Sequence, residues 1–203
     1  NSYEIGSALS FAGGRILLRT AAYYNQWKDF PILLVADCAV GFLFNAGEAS
    51  TRGVELEGSA LLDAQWRLDF SAAYTQGELT SDAPGLGMDG DRLPGTPEYT
   101  ANLGLQFDTL LRGLPAYARG DLAYVGGFYN NLQEEGEEIG DYTTLNLSAG
   151  LRLGRWDLQL FVHNVTDSDG ATWIYRFEEY PSAFLLRPRT AGVKLRYHLG
   201  TQR

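Results

Sequence analysis

The sequence predicts an all-β fold, an antiparallel up-and-down transmembrane β-barrel segment of about nine strands of a larger barrel. The first observation behind this prediction is the spacing of large apolar residues. They recur eight positions apart in four segments and end a similar run in a fifth: Tyr3 and Phe11, Ile16 and Tyr24, Trp66 and Tyr74, Tyr99 and Phe107, and Val193 with Tyr197. Eight strand residues span roughly 26 Å. Membrane barrels carry an apolar band about 25 Å tall between two aromatic girdles.

The second observation is the alternation of apolar and polar residues with a period of two. It occupies nine segments: 3–11, 15–28, 49–62, 65–78, 98–108, 115–129, 142–153, 156–165 and 187–199. The third observation is the length of the connections, which are alternately short and long. The long ones, which we predict as loops, are 30–47, 79–97, 130–141 and 166–186. Outer-membrane barrels have short periplasmic turns and long outer loops, so we expect the C-terminus in the periplasm.

Turn residues delimit the strands in order along the chain. Gly13 and Gly14 separate the first two strands, and the stretch 62–65 separates the next two. Pro94 and Pro97 cannot donate to a strand ladder, so they end the loop before strand 98–108. Similar short turns at 109–113 and 154–155 join the later strands in pairs.

The two sides of each strand differ in polarity. We expect Leu68, Leu103 and Leu147 to face lipid. The opposite side is polar: Arg19, Tyr23, Asn25, Glu55, Glu57, Arg67, Asp69, Ser71, Asn102, Gln106, Arg119, Asp121, Asn146, Arg152, Lys194, Arg196 and His198. Unpaired charges are costly in a dry core, so this side predicts a wet or plugged lumen. A soluble antiparallel sandwich with one solvated face is the alternative. Nine strands are an odd number, so either one strand is missed or the chain is part of a larger barrel.

The composition excludes several classes of protein. The formal net charge of −9 disfavours nucleic acid, whose binding depends on basic residues. The single cysteine, Cys38, excludes an internal disulfide and a zinc cluster. The sequence contains no stretch of 18 apolar residues, so it predicts no transmembrane helix. The sequence opens directly into a strand pattern without a signal peptide, so we expect a start that is truncated relative to the parent protein.

Five stretches in order resemble the TonB-dependent outer-membrane receptors. They are 22–29 (AYYNQWKD), 45–57 (NAGEASTRGVELE), 92–97 (RLPGTP), 162–167 (VHNVTD) and 187–190 (RPRT). The resemblance implies that residues 1–203 are the C-terminal part of a 22-stranded barrel, with the plug domain and the N-terminal strands absent. It implies energised uptake of a scarce nutrient, most often a ferric siderophore. A small non-energised barrel, serving as a passive pore or an adhesin, is the alternative.

The resemblance also implies the partners. They are outer-membrane lipid, a small-molecule ligand, the barrel-assembly machinery, and the TonB energy complex, which docks through the missing N-terminal region. The end of the chain is similar to the assembly signal of this family, with a glycine followed by alternating apolar positions at Gly192, Leu195 and Tyr197. An ordinary edge strand would have the same pattern.

Residues 167–186 hold the candidate ligand side chains Trp173, Tyr175 and Arg176. Aromatic faces and a permanently charged guanidinium suit a planar, anionic ligand. Packing between loops over the pore is the competing interpretation. The acidic residues of the loop 134–141 could bind calcium, although a solvated loop explains them as well.

For catalysis the inventory is thin. Only His163 and His198 are present, near opposite ends of their strands, and no nucleophile or phosphate-loop motif occurs. We therefore predict a protein that is not an enzyme and has no cofactor. An outer-membrane hydrolase is the alternative, and it would need a base beside a nucleophile near the rim.

Overall fold

The computed structural model describes residues 1–35, 41–132, 138–177 and 180–199. In the described residues, one nine-stranded antiparallel sheet dominates, with the strand order β1-β2-β5-β6-β7-β8-β9-β10-β13. Its strands are β1 (Ser2–Phe11), β2 (Ile16–Trp27), β5 (Ala49–Leu61), β6 (Trp66–Leu79), β7 (Tyr99–Leu111), β8 (Leu114–Val125), β9 (Tyr142–Leu153), β10 (Trp156–His163) and β13 (Thr190–Tyr197). The predicted fold class and its nine strands are confirmed. No helix in these residues is long and apolar enough to cross a membrane.

Short turns and long connections lie at opposite ends of the sheet, which we name the inner end and the outer end respectively. The turn after β7 is tighter than predicted, because β7 and β8 pair as far as Leu111 and Leu114. Arg112 and Gly113 form the turn with positive φ angles of 52° and 83°. This is the geometry that a two-residue hairpin loop favours. The strand predicted to end at 108 therefore continues to 111.

Cross-strand register sorts the side chains onto two faces. Trp66 lies opposite Phe107 and Tyr74 opposite Tyr99, with ring centroids 4.7 Å and 5.1 Å apart. Aromatic pairs on other neighbouring strands lie at the same two levels, so they form two rows, one near each end of the sheet. We name the side that carries them the apolar face and the opposite side the polar face. Leu68, Leu103 and Leu147 lie on the apolar face, and Arg67, Asn102 and Asn146 on the polar face.

Glycines face aromatic rings directly across the ladder at four places. The pairs are Tyr23 with Gly53, Phe70 with Gly58, Tyr117 with Gly150, and Phe161 with Gly192. A Cβ added at any of these glycines would overlap the facing ring. The rings therefore cover the glycine backbone and take the volume of its missing side chain.

Two of the predicted loops contain additional strands. β3 (Pro31–Val35) pairs with β4 (Gly41–Asn45), and β11 (Ala171–Phe177) pairs with β12 (Tyr180–Leu185). Both hairpins extend the outer end. Their ladders supply the hydrogen-bond partners that backbone groups need once they leave the main sheet. Other predicted strands are shorter than expected. β8 ends at Val125 rather than 129, and β13 begins at Thr190 rather than 187.

The principal buried cluster in the described residues lies at the outer end rather than within the sheet. It consists of Ala46, Ala49, Leu79, Ala83, Leu93 and Leu132. Leu79 and Ala49 project from the polar face, and Leu93 packs against Gly77 on the same face. The connection between β6 and β7 therefore folds inward over the polar face. We name this region, at the outer end of the polar face, the outer mouth.

Candidate functional site

The polar face carries a network of ion pairs centred on Arg119. Its guanidinium lies 2.9 Å from an Asp69 carboxylate oxygen and 2.7 Å from an oxygen of Asp121. Arg67 contacts the same Asp69 at 2.9 Å. Gly104 lies beneath this network, and a Cβ at that position would overlap the Arg119 guanidinium. The charges are therefore satisfied within the wall and hold three adjacent strands in register.

Neutral hydrogen bonds extend the network along the polar face. The Tyr23 and Thr75 hydroxyls are 2.9 Å apart, and the Asn102 amide donates to the Ser71 hydroxyl at 3.2 Å. The Asn102 and Ser71 side chains, together with the charged residues around Arg119, line a groove of about 730 Å³. This polar wall corresponds to the side of the strands that the sequence predicts to face the lumen.

A second charged group lies at the inner end of the polar face. Arg152 Nε donates to Asp157 Oδ1 at 2.9 Å, and His198 Nε2 lies 2.6 Å from Asp157 Oδ2. The sequence analysis did not identify Asp157. A signal was available, since the turn at Gly154 and Arg155 places positions 152 and 157 directly opposite each other.

The outer mouth contains the first predicted ligand residue, Trp173. Its side chain is 40% exposed and lies on the same face of the β11–β12 hairpin as Phe184, which is 60% exposed. Its indole also approaches Gly95, where an added Cβ would lie 3.8 Å from the ring. Trp173 thus stands beside the inward-folded connection and remains open to solvent. Tyr175 and Arg176 belong to β11, but their side chains lie outside the described residues.

Several other candidate residues are only partly covered by the structure. Asp141 accepts a hydrogen bond from the Tyr124 hydroxyl at 3.1 Å. Glu134, Glu135, Glu137 and Cys38 lie outside the described residues. Within the part of the chain that the structure describes, no group of three potential ligands is arranged to hold a metal ion.

The proposed assembly residues lie on the last strand of the sheet. Gly192 faces the Phe161 ring on the polar face, whereas Leu195 and Tyr197 lie on the apolar face. The Tyr197 ring is 4.7 Å from that of Trp156. The alternation predicted for this strand is therefore present, and it ends in an aromatic pair at the inner end.

An antiparallel wall with two aromatic rows on its apolar face, and ion pairs on the other, is the architecture of an outer-membrane β-barrel. The chain belongs to the TonB-dependent receptor family. The family model described as "TonB dependent receptor-like, beta-barrel" matches residues 1–165.

Curated relatives agree with this assignment. The chain is 28% identical over 202 residues to the pesticin receptor of Yersinia pestis, a match that covers 96% of this chain and 28% of the receptor. It is 32% identical over 151 residues to the metal-pseudopaline receptor CntO of Pseudomonas aeruginosa, covering 72% of this chain and 20% of that protein. The chain thus spans less than a third of these relatives.

Solved structures show the same fold. The ferric yersiniabactin uptake receptor FyuA from Yersinia pestis superposes with a TM-score of 0.82 at 26% identity, over 97% of this chain and 29% of that structure. The ferric preacinetobactin receptor BauA from Acinetobacter baumannii superposes with a TM-score of 0.70 at 20% identity, over 97% and 29% respectively. The second likeness concerns the fold alone.

Proposed function

We propose that residues 1–203 form the C-terminal wall of a 22-stranded receptor whose plug and N-terminal strands lie outside this chain. Within the described residues, β1 and β13 each pair with one neighbour and keep a free edge. Open edges are not tolerated in lipid, so further strands must close the wall. The matched relatives, which are more than three times as long, have room for them. On this assignment the inner end and the C-terminus lie in the periplasm.

The function that this wall supports best is TonB-dependent uptake of a metal chelate, most specifically a ferric siderophore. The observation that carries the proposal is the 0.82 TM-score to a ferric yersiniabactin uptake receptor, at 26% identity across nearly the whole chain. The name of the metal-pseudopaline receptor extends the range of cargo to other chelated metals. Receptors of this kind are transporters rather than enzymes.

The proposed ligand contacts lie at the outer mouth, with Trp173, Tyr175 and Arg176 as the residues involved. The exposure of Trp173 beside the inward-folded connection supports its role, since a ring there can stack on a planar chelate. The proposal includes three further partners. Lipid contacts the apolar face, and the assembly machinery recognises Gly192, Leu195 and Tyr197. The TonB complex docks on a region outside this chain.

Uptake by the whole receptor tests the proposal. A receptor-deficient strain that expresses it is offered four chelates, each with a radioactive metal: iron-loaded yersiniabactin, preacinetobactin and pyoverdine, and metal-loaded pseudopaline. Pyoverdine is included because the ferripyoverdine receptor of Pseudomonas aeruginosa has the same fold. We expect at least one chelate to accumulate, and accumulation to stop when the proton-motive force is collapsed. Uptake that persists without that force would instead indicate a passive pore. Failure to bind any of the four chelates in purified form would contradict the proposed cargo class.

A matched pair of variants tests the ligand contacts. Trp173→Ala removes the exposed ring at the mouth, whereas Trp156→Ala removes a ring of the aromatic row at the inner end. We expect only Trp173→Ala to weaken chelate binding by the purified receptor, and Trp156→Ala to lower its thermal stability. If Trp173→Ala lowers stability and leaves affinity unchanged, the ring belongs to loop packing.

A further inference from the structure

Two motifs that are separate in the sequence meet at the outer end in one knot of hydrogen bonds around the buried Asn164. Asn164, which is only 5% exposed, directly follows β10. Its side-chain amide donates to the Ser168 carbonyl at 2.8 Å and to the Arg187 carbonyl at 3.0 Å. Its side-chain oxygen accepts the Ser168 N–H at 3.0 Å. The side chain of one residue thus ties 164–168 to the segment just before β13.

Neighbouring strands and side chains complete the knot. The Asn164 N–H donates to the Asn146 side chain on β9 at 2.9 Å. Asp167 accepts the Arg189 N–H at 2.8 Å, and the Arg189 guanidinium donates to the Val165 carbonyl at 3.2 Å. The stretches 162–167 and 187–190 therefore form a single structural unit, although the nineteen residues 168–186 separate them.

The backbone of the knot is held in a conformation that most residues avoid. Asn164 and Asp167 have φ angles of 50° and 55°, in the left-handed region. Asparagine and aspartate adopt this region more readily than other residues with a side chain. Such strain persists where surrounding contacts over-determine the conformation, and the hydrogen bonds of Asn164 meet that condition.

The knot encloses the base of the hairpin that carries Trp173. β11 and β12 leave the sheet between Asn164 and Thr190, and the Leu186 N–H donates to the Gly170 carbonyl at 2.9 Å immediately above the knot. Beyond the knot, the described residues of the hairpin are held by the β11–β12 ladder and by a hydrogen bond from the Gly140 N–H to the Ala171 carbonyl at 3.2 Å. Its orientation over the mouth therefore depends on how its base is fixed.

We propose that Asn164 is a positioning residue that fixes the β11–β12 hairpin at the mouth of the receptor. Its side chain forms hydrogen bonds to Ser168 and Arg187, on the two segments that lead into and out of the hairpin. These bonds set where the Trp173 ring stands relative to Gly95. This inference rests on the proposed function for its link to ligand binding, but the anchoring itself does not require a ligand. Asn164 contacts no cargo and acts only through the hairpin.

Hydrogen exchange on the whole receptor tests the anchoring directly. Asn164→Gly removes the side chain without adding strain at the positive φ, and Asn164→Asp keeps an acceptor while losing both donors. In each variant we expect amides of 171–177 and 180–186 to exchange about tenfold faster or more, since at least two hydrogen bonds are lost and each contributes a factor of up to about ten. Amides of β10 and β13 should keep their protection.

The matched control is Asn102→Ala on the polar face, which loses one exposed hydrogen bond to Ser71. We expect it to leave exchange of the hairpin unchanged. If Asn164→Gly leaves the hairpin as protected as in the wild type, or loosens β10 and β13 equally, the positioning role is wrong.

Binding of iron-loaded yersiniabactin, or of whichever of the four chelates the wild type binds, separates this inference from the proposed function. We expect Asn164→Gly alone to weaken the affinity for the chelate. In a receptor that already carries Trp173→Ala, we expect Asn164→Gly to cause no further loss of affinity. Faster hairpin exchange with unchanged affinity would retain the anchoring and refute the ligand contacts. Thermal unfolding of the barrel should not change, which distinguishes positioning from general destabilisation.

Discussion

At the scale of single residues, odd or even position along a strand determines whether a side chain lies on the apolar or the polar face. Leu103 lies midway between the girdle residues Tyr99 and Phe107, whereas Leu68 is only one row from Trp66. A charge is most costly at the bilayer midplane and much less so near the interfaces. Depth therefore matters as much as face.

The first prediction uses this depth difference in the whole receptor. Leu103→Arg should lower the free energy of unfolding by about 2–4 kcal/mol, and Leu68→Arg should cost less. Asn102→Ser, one residue away on the polar face, is the control and should change stability little. Chemical unfolding in lipid vesicles measures all three. Equal losses for Leu103→Arg and Asn102→Ser would contradict the assigned faces.

The second prediction concerns the turn between β5 and β6. Asp63 Oδ1 accepts the N–H groups of Gln65 at 2.7 Å and Trp66 at 2.8 Å. These bonds lower the pKa of the Asp63 carboxyl, with Arg15 assisting and desolvation opposing. Because the folded-state pKa is depressed, the carboxylate stabilises the turn above the unfolded pKa of about 3.9. That contribution is lost as the pH falls through the lower folded value.

The Trp66 amide chemical shift reports on this titration by NMR. We expect a midpoint below about 3.9, the value of a free aspartate. Asp63→Asn, which keeps an acceptor but cannot ionise, should abolish the titration. A midpoint at or above the free value would show that the two N–H groups do not stabilise the carboxylate.

At the scale of elements, periodicity predicted the nine wall strands because each is long, alternates strictly and borders on a turn residue. Periodicity could not predict the outer hairpins, since five-residue runs such as Pro31–Val35 are apolar without alternation. It also extended β13 to residue 187, where the knot around Asn164 prevents ladder pairing. Contacts between residues that are far apart in sequence decided these boundaries.

The same distinction between what periodicity predicts and what long-range contacts decide applies to the candidate sites. Parity alone placed Arg119, Asp69 and Asp121 on one face, but their pairing depended on the cross-strand register. The exposure of Trp173 was predictable from its place in a long connection, whereas its approach to Gly95 was not. For Asn164, the sequence showed only the motif 162–167 and gave no indication of its hydrogen-bond partners.

The third prediction tests the glycine–aromatic pairs on the last two strands of the wall. Gly192→Ala should destabilise the receptor by about 1–3 kcal/mol, because its methyl group overlaps the Phe161 ring. Phe161→Leu in the same chain should recover part of that loss, since it removes the overlapping ring edge. A double-mutant cycle of unfolding free energies measures the coupling. Strictly additive effects would show that the two residues do not pack together.

At the scale of the whole molecule, the wall is incomplete in the way expected of one part of a larger barrel. The fourth prediction is that residues 1–203 alone do not support energised uptake. When they are expressed behind a signal peptide in a receptor-deficient strain, growth on the chelates named above should not depend on the proton-motive force. Growth that does depend on it would refute the proposal that the missing strands and plug are required.

Spin labelling along β7 in the membrane-embedded receptor tests the central claim, a lipid-facing wall with a polar lumen side, most directly. With Cys38 replaced by serine, single cysteines at positions 99 to 107 are labelled in turn, and their collisions with oxygen and with a water-soluble nickel chelate are measured. We expect oxygen accessibility to peak at Tyr99, Ala101, Leu103, Leu105 and Phe107 and to fall at the four residues between them. Equal accessibility at odd and even positions, or nickel contact at Leu103, would contradict a membrane-spanning wall.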